Sequence, residues 1–336
     1  MRDIFEYRDN FADYRDIKSV KLWGNLDFCK NPDVSIIMPC YSHPDYFKQS
    51  LQSAINQDYK GTYEIIIADN NELTNTPTEN QKIVEEFNDP RVIYYRNVKN
   101  IGMFGNWNRL AELARAPFVV YLHDDDMLLP SSLTTLTVLQ KRYNADGVNG
   151  AHVTIDALGN VEESRKRHSN RKLLILKQKK GIHANLFDMF LGRSGGTGCG
   201  CLFRKDAFLK IGGFSPEFYP SADYALNANM AYRFKLISTF EKTFFYRVAE
   251  NESLSVYEQF VDLDKHFRKC MSPHIKLPRF ILNMLINTMY RVYKIKYSVL
   301  LGKKGKSELK KIKGKDKILL KTVLIPRHLI KDYRLL

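Results

Sequence analysis

From Val34 to Leu122 the chain sets four short apolar runs in alternation with three stretches of helical spacing, and this constrains its fold more than any other feature. The runs are Val34-Ser35-Ile36-Ile37-Met38-Pro39, Tyr63-Glu64-Ile65-Ile66-Ile67-Ala68, Val92-Ile93-Tyr94-Tyr95 and Phe118 to Leu122. They are rich in β-branched and aromatic residues, the pattern of strands buried on both faces. Between them, residues 44–57 place Phe47, Leu51, Ala54 and Ile55 at helical spacing. Residues 77–87 open on Pro77, a residue favoured in a first turn, and Asn106 to Ala114 gives the third helix. Alternation of this kind predicts a mostly parallel sheet covered by helices, an α/β fold.

In such a sheet ligands bind beyond the carboxyl ends of the strands. Three strand ends here carry polar groups: Cys40-Tyr41-Ser42, Asp69-Asn70-Asn71 and His123-Asp124-Asp125-Asp126. Three adjacent carboxylates after a buried strand repel one another in a low dielectric. A hard divalent cation, Mg²⁺ or Mn²⁺, would hold them together and bring phosphate oxygens with it. The plainer reading is a solvated acidic turn ahead of the helix that follows Pro130. In the same plain terms Asp69 and Asn70 suit a turn after a strand, Tyr41 is a sheet-edge aromatic and His123 is a structural ring.

A chain of 336 residues buries a sizeable core and suits one large domain, or a domain with an appendage. Its net charge of +15 is concentrated at one end. Lys265 to Leu336 holds 20 Lys and Arg against 3 Asp and Glu, a net of +17, and the remainder holds 32 against 34, a net of −2. The five cysteines are few and odd in number, which favours a reducing compartment. Cys199 and Cys201 stand two apart with no second Cys/His pair at zinc-site spacing, so spacing argues against a structural zinc. The N-terminus is too acidic and polar for a secretory signal, and no apolar run has the roughly 18 residues of a spanning helix.

Residues 1–33 show no period and read as an N-terminal extension. After Gly147 the alternation breaks down. Val148 to Ile155 reads as a strand, Arg165 to Lys180 as a basic loop or solvated helix face, and Gly195 to Gly200 as a flexible cluster without a P-loop ending. Cys201 to Arg204 is a strand, Asp206 to Ile211 a short helix stopped by Gly212-Gly213, residues 223–235 a helix and Thr239 to Val248 a strand. In the basic tail, Phe280 to Leu301 mixes apolar residues with Arg291, Lys294 and Lys296, as interfacial helices do; a helical bundle packed on the domain is the alternative. Asp223 reads either as a first-turn acid after Ser221 or as a general base.

Val34 to Tyr41, Glu64 to Asn70, Asn100-Ile101-Gly102, Asn108, Asp124-Asp125-Asp126 with Pro130, and Gly212-Gly213-Phe214 followed by Asp223 together resemble family 2 glycosyltransferases, over roughly residues 34–250. The resemblance implies the GT-A fold, with domains at 1–33 (extension), 34–264 (nucleotide-sugar binding and catalysis) and 265–336 (basic, helical). It implies that Tyr41 stacks on the nucleotide base and that Asp69 holds base or ribose. Pro39, Asn70, Asn100, Gly102, Asn108 and Asp124 would complete the nucleotide-sugar site. Asp125 and Asp126 would take Mn²⁺ or Mg²⁺, and Asp223 would be the catalytic base. The chain departs from the pattern where His123 replaces an aspartate, Ala222 precedes Asp223, Ser42 replaces an Asn, and no His follows Tyr246-Arg247.

These groups suit glycosyl transfer, and the resemblance implies that it proceeds with inversion in bacterial surface-polysaccharide synthesis. A cation at Asp125 would neutralise the diphosphate leaving group, and Asp223 would take the proton of the attacking hydroxyl. The implied partners are a nucleotide sugar, UDP-linked by preference, a glycan or lipid-linked acceptor, and an anionic membrane surface met by the basic tail. That places the protein in the cytoplasm, peripheral on the inner face of the membrane. No nucleic-acid motif accompanies the charge. The alternatives are a nucleotidyltransferase on a related sheet and a membrane-associated binding protein without catalysis.

Overall fold

The structure is a computed structural model that describes residues 1–161, 182–192, 198–248, 256–300 and 314. Among the described residues ten strands form one sheet: β1 Ser19–Trp23, β2 Val34–Cys40, β3 Tyr63–Asp69, β4 Val92–Asn97, β5 Phe118–Tyr121, β6 Met127–Leu128, β7 Gly147–Ile155, β8 Ile182–His183, β9 Cys201–Arg204 and β10 Leu236–Arg247. Their order is β1-β4-β3-β2-β5-β9-β7-β10-β6, with β8 paired to β10. Strands β4, β3, β2 and β5 are mutually parallel. β9 runs against both β5 and β7, and β10 is parallel to β7. The end of β10 therefore emerges on the same edge as the ends of β2, β3 and β5. That topology brings Arg247 beside the acidic turn, more than 120 residues earlier in the chain.

The helices are α1 Pro44–Ile55, α2 Glu79–Phe87, α3 Gly102–Leu113, α4 Ser132–Tyr143, α5 Leu186–Phe190, α6 Lys205–Lys210, α7 Ala222–Arg233, α8 Tyr257–Met271 and α9 Arg279–Leu300. Strand side chains alternate between the two faces, so neighbouring residues enter different cores. Ile36, Met38, Ile65, Ile67 and Val120 pack with Phe47 and Leu51 of α1, Val84 of α2 and Leu136 of α4. Ile37, Ile66, Val119 and Tyr121 pack on the other side with Leu110 of α3, Phe208 of α6, Leu226 of α7 and Phe267 of α8.

Helix α2 starts two residues later than Pro77 suggests, because the Thr78 hydroxyl caps it by accepting the Gln81 N–H at 3.1 Å. Helix α3 starts earlier than expected, at Gly102. The φ of +74° at that residue makes the turn from Asn100 into the helix without a Cβ penalty.

Two segments differ more from expectation. Residues 1–33 are knitted into the main body: Ile4, Phe5, Phe11 and Tyr14 are buried, and β1 pairs antiparallel with β4. In the C-terminal region, α9 turns Leu282, Leu285, Ile286 and Met289 into the core shared with α8. The alternative of a bundle packed on the domain therefore describes this face of α9. Asp264, taken as a boundary, lies within α8 and is ion-paired with the buried Arg268 at 2.7 Å. Among the described residues no helix is long and apolar enough to cross a membrane. The basic segment 165–180, Gly195 to Thr197 and the lysine-rich residues 303–317 apart from Gly314 lie outside the described residues.

Candidate active site

The acidic turn after β5 sits at the centre of the carboxyl edge. Asp124 receives a backbone hydrogen bond from Tyr41, at the end of β2, and feels the charge of Asp69, at the end of β3. Burial, and then the neighbouring Asp125 charge, push Asp124 up to about 7 and Asp126 up to about 8. Asp223, in the first turn of α7, faces this turn: a methyl group placed on Gly198 would lie 3.8 Å from both the Asp223 Cβ and the His123 Nε2. Burial raises Asp223 to about 6. The Tyr246 hydroxyl, pushed up to about 12 by burial, feels Asp126, Asp125 and Asp223 together. Acids from two distant parts of the chain thus line one rim.

The residues expected to bind a nucleotide sugar divide by exposure. Tyr41 is 50% exposed, and Asn100 and Gly102 are also open to solvent, so all three are available to a ligand. Asp69 is fully buried and its oxygens are already occupied. Oδ2 accepts from the Tyr94 hydroxyl at 2.6 Å and the Thr78 hydroxyl at 2.8 Å, and Oδ1 accepts from Nδ2 and the backbone N–H of Asn71 at 2.7 and 2.9 Å. It holds the loop after β3 instead of presenting a free carboxylate. Asn70 donates to Asn100 Oδ1 at 2.8 Å and accepts from the Ile101 N–H at 3.0 Å, which shapes the exposed turn. Pro39 is buried within β2.

Asn108 is another correction. It is fully buried, donating to the Phe214 carbonyl and accepting the Phe214 N–H, both at 2.8 Å. It reproduces a strand-like pair with the Gly212-Gly213-Phe214 turn and so anchors the segment leading to Asp223; its complete burial keeps it from contact with a nucleotide. Asp126 is likewise 1% exposed, and its Oδ1 accepts the Arg247 N–H at 2.9 Å.

Sequence reasoning missed Arg247. It is fully buried and carries the acidic turn: Nε donates to the Asp125 carbonyl at 2.7 Å, NH1 to the Ala157 carbonyl at 2.9 Å and NH2 to Gln49 Oε1 at 2.9 Å. Its guanidinium lies 4.4 Å from the centre of the Tyr46 ring. The signal available was an arginine closing the aromatic run Phe244-Phe245-Tyr246. Trp107 was also missed; it stacks on His123 with ring centres 4.6 Å apart.

The carboxylates fit a hard divalent cation. Asp124 and Asp126 are driven toward protonation by burial and then by the Asp125 charge between them, a strain that a cation relieves, and carboxylate oxygens are the donors Mn²⁺ and Mg²⁺ prefer.

A sheet with a parallel core and an acidic rim at its carboxyl edge defines an α/β protein of the GT-A class. The chain belongs to glycosyl transferase family 2, whose profile matches residues 35–212. An uncharacterised glycosyltransferase from Methanocaldococcus jannaschii is 34% identical over 113 residues, 33% of this chain and 37% of that protein, so the chain spans little more than a third of that relative. The GalNAc(5)-diNAcBac-PP-undecaprenol β-1,3-glucosyltransferase of Campylobacter jejuni is 25% identical over 321 residues, covering 89% of this chain and 96% of that enzyme. The crystal structure of S. aureus TarS 1–349 in complex with UDP-GlcNAc shares the fold, with a TM-score of 0.56 at 14% identity over 88% of this chain and 82% of that one.

Proposed function

We propose that the chain moves a sugar from a nucleoside-diphosphate donor, UDP-linked by preference, to a hydroxyl of a lipid-linked glycan in the synthesis of bacterial surface polysaccharide, with inversion at the anomeric carbon. The observation that carries this is Asp223. It is a largely buried carboxylate, raised to about 6, facing the acidic rim across the turn at Gly198. A base with that affinity is ionised at neutral pH yet still able to take a proton. Tyr41, half-exposed at the end of β2, offers a face for the nucleotide base, and Asn100 and Gly102 line the same edge. Asp125 with Asp124 would hold Mn²⁺ or Mg²⁺, which when bound supplies positive charge opposite the leaving diphosphate. Arg247 keeps that turn in place through the Asp125 carbonyl. Asp223 accepts the proton of the acceptor hydroxyl as it attacks.

The kinds of donor and acceptor rest on the names of the relatives, a UDP-GlcNAc complex and an undecaprenol-linked substrate. Thermal stabilisation across a panel of nucleotide sugars, with Mn²⁺, Mg²⁺ or chelator, tests donor and metal together, since a ligand of the folded state raises its stability. Donor turnover on a polyprenyl-diphosphate-linked sugar, with the product anomer read by NMR, tests the reaction. Retention of configuration, or no turnover with any nucleotide sugar, overturns the reading.

A lipid-linked acceptor requires the enzyme to reach a membrane. The start of α9 exposes Leu277, Phe280 (72% exposed) and Met284 beside Lys276 and Arg279. Apolar residues among cations suit an anionic, cytoplasm-facing bilayer surface, where each Lys or Arg adds about 1 kcal/mol. Co-sedimentation with phosphatidylglycerol-containing vesicles should fall on Phe280→Asp; unchanged binding removes this patch from the membrane contact.

A further inference from the structure

Behind the rim lies a group of donors that carboxylate chemistry does not use. His123, Asp126 and Cys199 bring one nitrogen, one oxygen and one sulfur within 4.8 Å of one another. Asp126 and Cys199 are buried, and the imidazole is pinned by the Trp107 ring stacked 4.6 Å away. The His123 Nδ1 and Asp126 Oδ2 are 3.7 Å apart, too far for a hydrogen bond. The Asp126 carboxylate and the Cys199 thiol share a hydrogen bond, whose proton lies where a cation would sit, and Nε2 of His123 is buried without a partner. Buried polar groups are ordinarily satisfied, so the unpartnered imidazole nitrogen asks for an explanation.

We propose that these three residues form a second cation site, distinct in chemistry from the carboxylate rim, that takes a borderline-soft divalent ion of the zinc class. Zinc binds such ligands at about 2.0–2.3 Å in a tetrahedron, which sets ligand atoms roughly 3.3–3.7 Å apart. The 3.7 Å between His123 Nδ1 and Asp126 Oδ2 lies just above the spacing for nitrogen and oxygen ligands, and the three donors, all within 4.8 Å, would draw together slightly on binding. An N, O, S set selects Zn²⁺ or Co²⁺ over Mg²⁺, which wants oxygen alone. The shell around the sulfur is also of the right kind. The His123 backbone donates to Cys199, as N–H groups do to metal thiolates, and the Asp126 carboxylate is oriented by the Arg247 N–H. Burial and nearby acids keep the thiol protonated without a cation; binding transfers that proton to solvent as the S–metal bond forms. The three ligands leave a fourth position open. With Asp126 next to Asp125, an ion here ties the rim to the β9 side of the sheet.

This inference stands apart from the assignment of Asp125, and the test separates the two. The purified full chain, stripped with chelator and dialysed against Co²⁺, should show a thiolate-to-cobalt charge-transfer band at one equivalent. Cys199→Ser should abolish the band and weaken Co²⁺ binding by more than the roughly 10–100-fold that outer-shell changes cost. His123→Gln should weaken it similarly while leaving a thiol in place, with circular dichroism confirming that each variant is folded. Mn²⁺ binding, followed by electron paramagnetic resonance, should survive Cys199→Ser and be lost in Asp125→Asn, whose cobalt band remains. Absence of the band in the unaltered chain, or its persistence in folded Cys199→Ser, overturns the site.

Discussion

At the scale of single residues, two predictions follow from how carboxylates and amides are held. Asp223 is raised by burial from an unfolded value near 3.9 to about 6, so the folded protein keeps its proton to higher pH than the unfolded chain. Its burial therefore favours folding below that range, and the advantage is lost as pH rises through 6. Activity runs the other way, because the base acts only when ionised: kcat/KM for the preferred donor should rise with pH around a midpoint near 6. Asp223→Asn should remove that limb and lower kcat by roughly 10²–10⁴-fold. For Asn108 the expectation is structural. Asn108→Ala strands the buried N–H and C=O of Phe214, each costing about 1–3 kcal/mol. Denaturant midpoints should fall accordingly while donor KM stays unchanged; a selective rise in KM with stability intact would return Asn108 to the nucleotide site.

At the scale of elements, the N-terminal strap and the Gly212-Gly213 turn form one unit. Asn10 donates to the Gly212 carbonyl from its backbone at 3.3 Å and from Nδ2 at 2.9 Å, and Asn229 on α7 donates to the Ile4 carbonyl at 3.0 Å. The strap thus braces the helix that carries Asp223. Gly212 has φ +86°, and a Cβ there would stand 1.9 Å from the Arg8 carbonyl oxygen. Gly212→Ala must push the strap away or strain the turn, beyond the usual cost of Ala at positive φ. Hydrogen exchange should quicken at residues 8–12, and kcat should drop with it; unchanged exchange would disconnect the strap from the turn.

At the scale of the whole molecule, the C-terminal helices are part of the core. α8 contributes Leu263, Phe267 and Met271, and α9 covers them with Leu282, Leu285 and Met289. Truncation at residue 264 cuts α8 and uncovers that face, and should give an aggregating or molten product, read by near-UV circular dichroism. A milder change makes the same point: Leu285→Ala, at a fully buried position, should cost about 2–5 kcal/mol. Vesicle binding is consequently better tested by Phe280→Asp, which leaves the core intact.

What sequence determined is what local physics can write. Short continuous apolar runs set the strands, their alternation with helices set a parallel core, and that core put the acids after β3 and β5 on one edge. The position of Tyr41 was legible for the same reason, since it directly follows a buried strand. Tertiary structure decided what depends on partners far along the chain. It used up the oxygens of Asp69, paired Asn108 with Phe214, brought Arg247 under Asp125 and set Cys199 against Asp126. It also turned the apolar stripe of α9 inward, a choice that amphipathic spacing leaves open. A residue's type states what it can bond; only the folded chain, by burial and by distance, decides which of those bonds are already made.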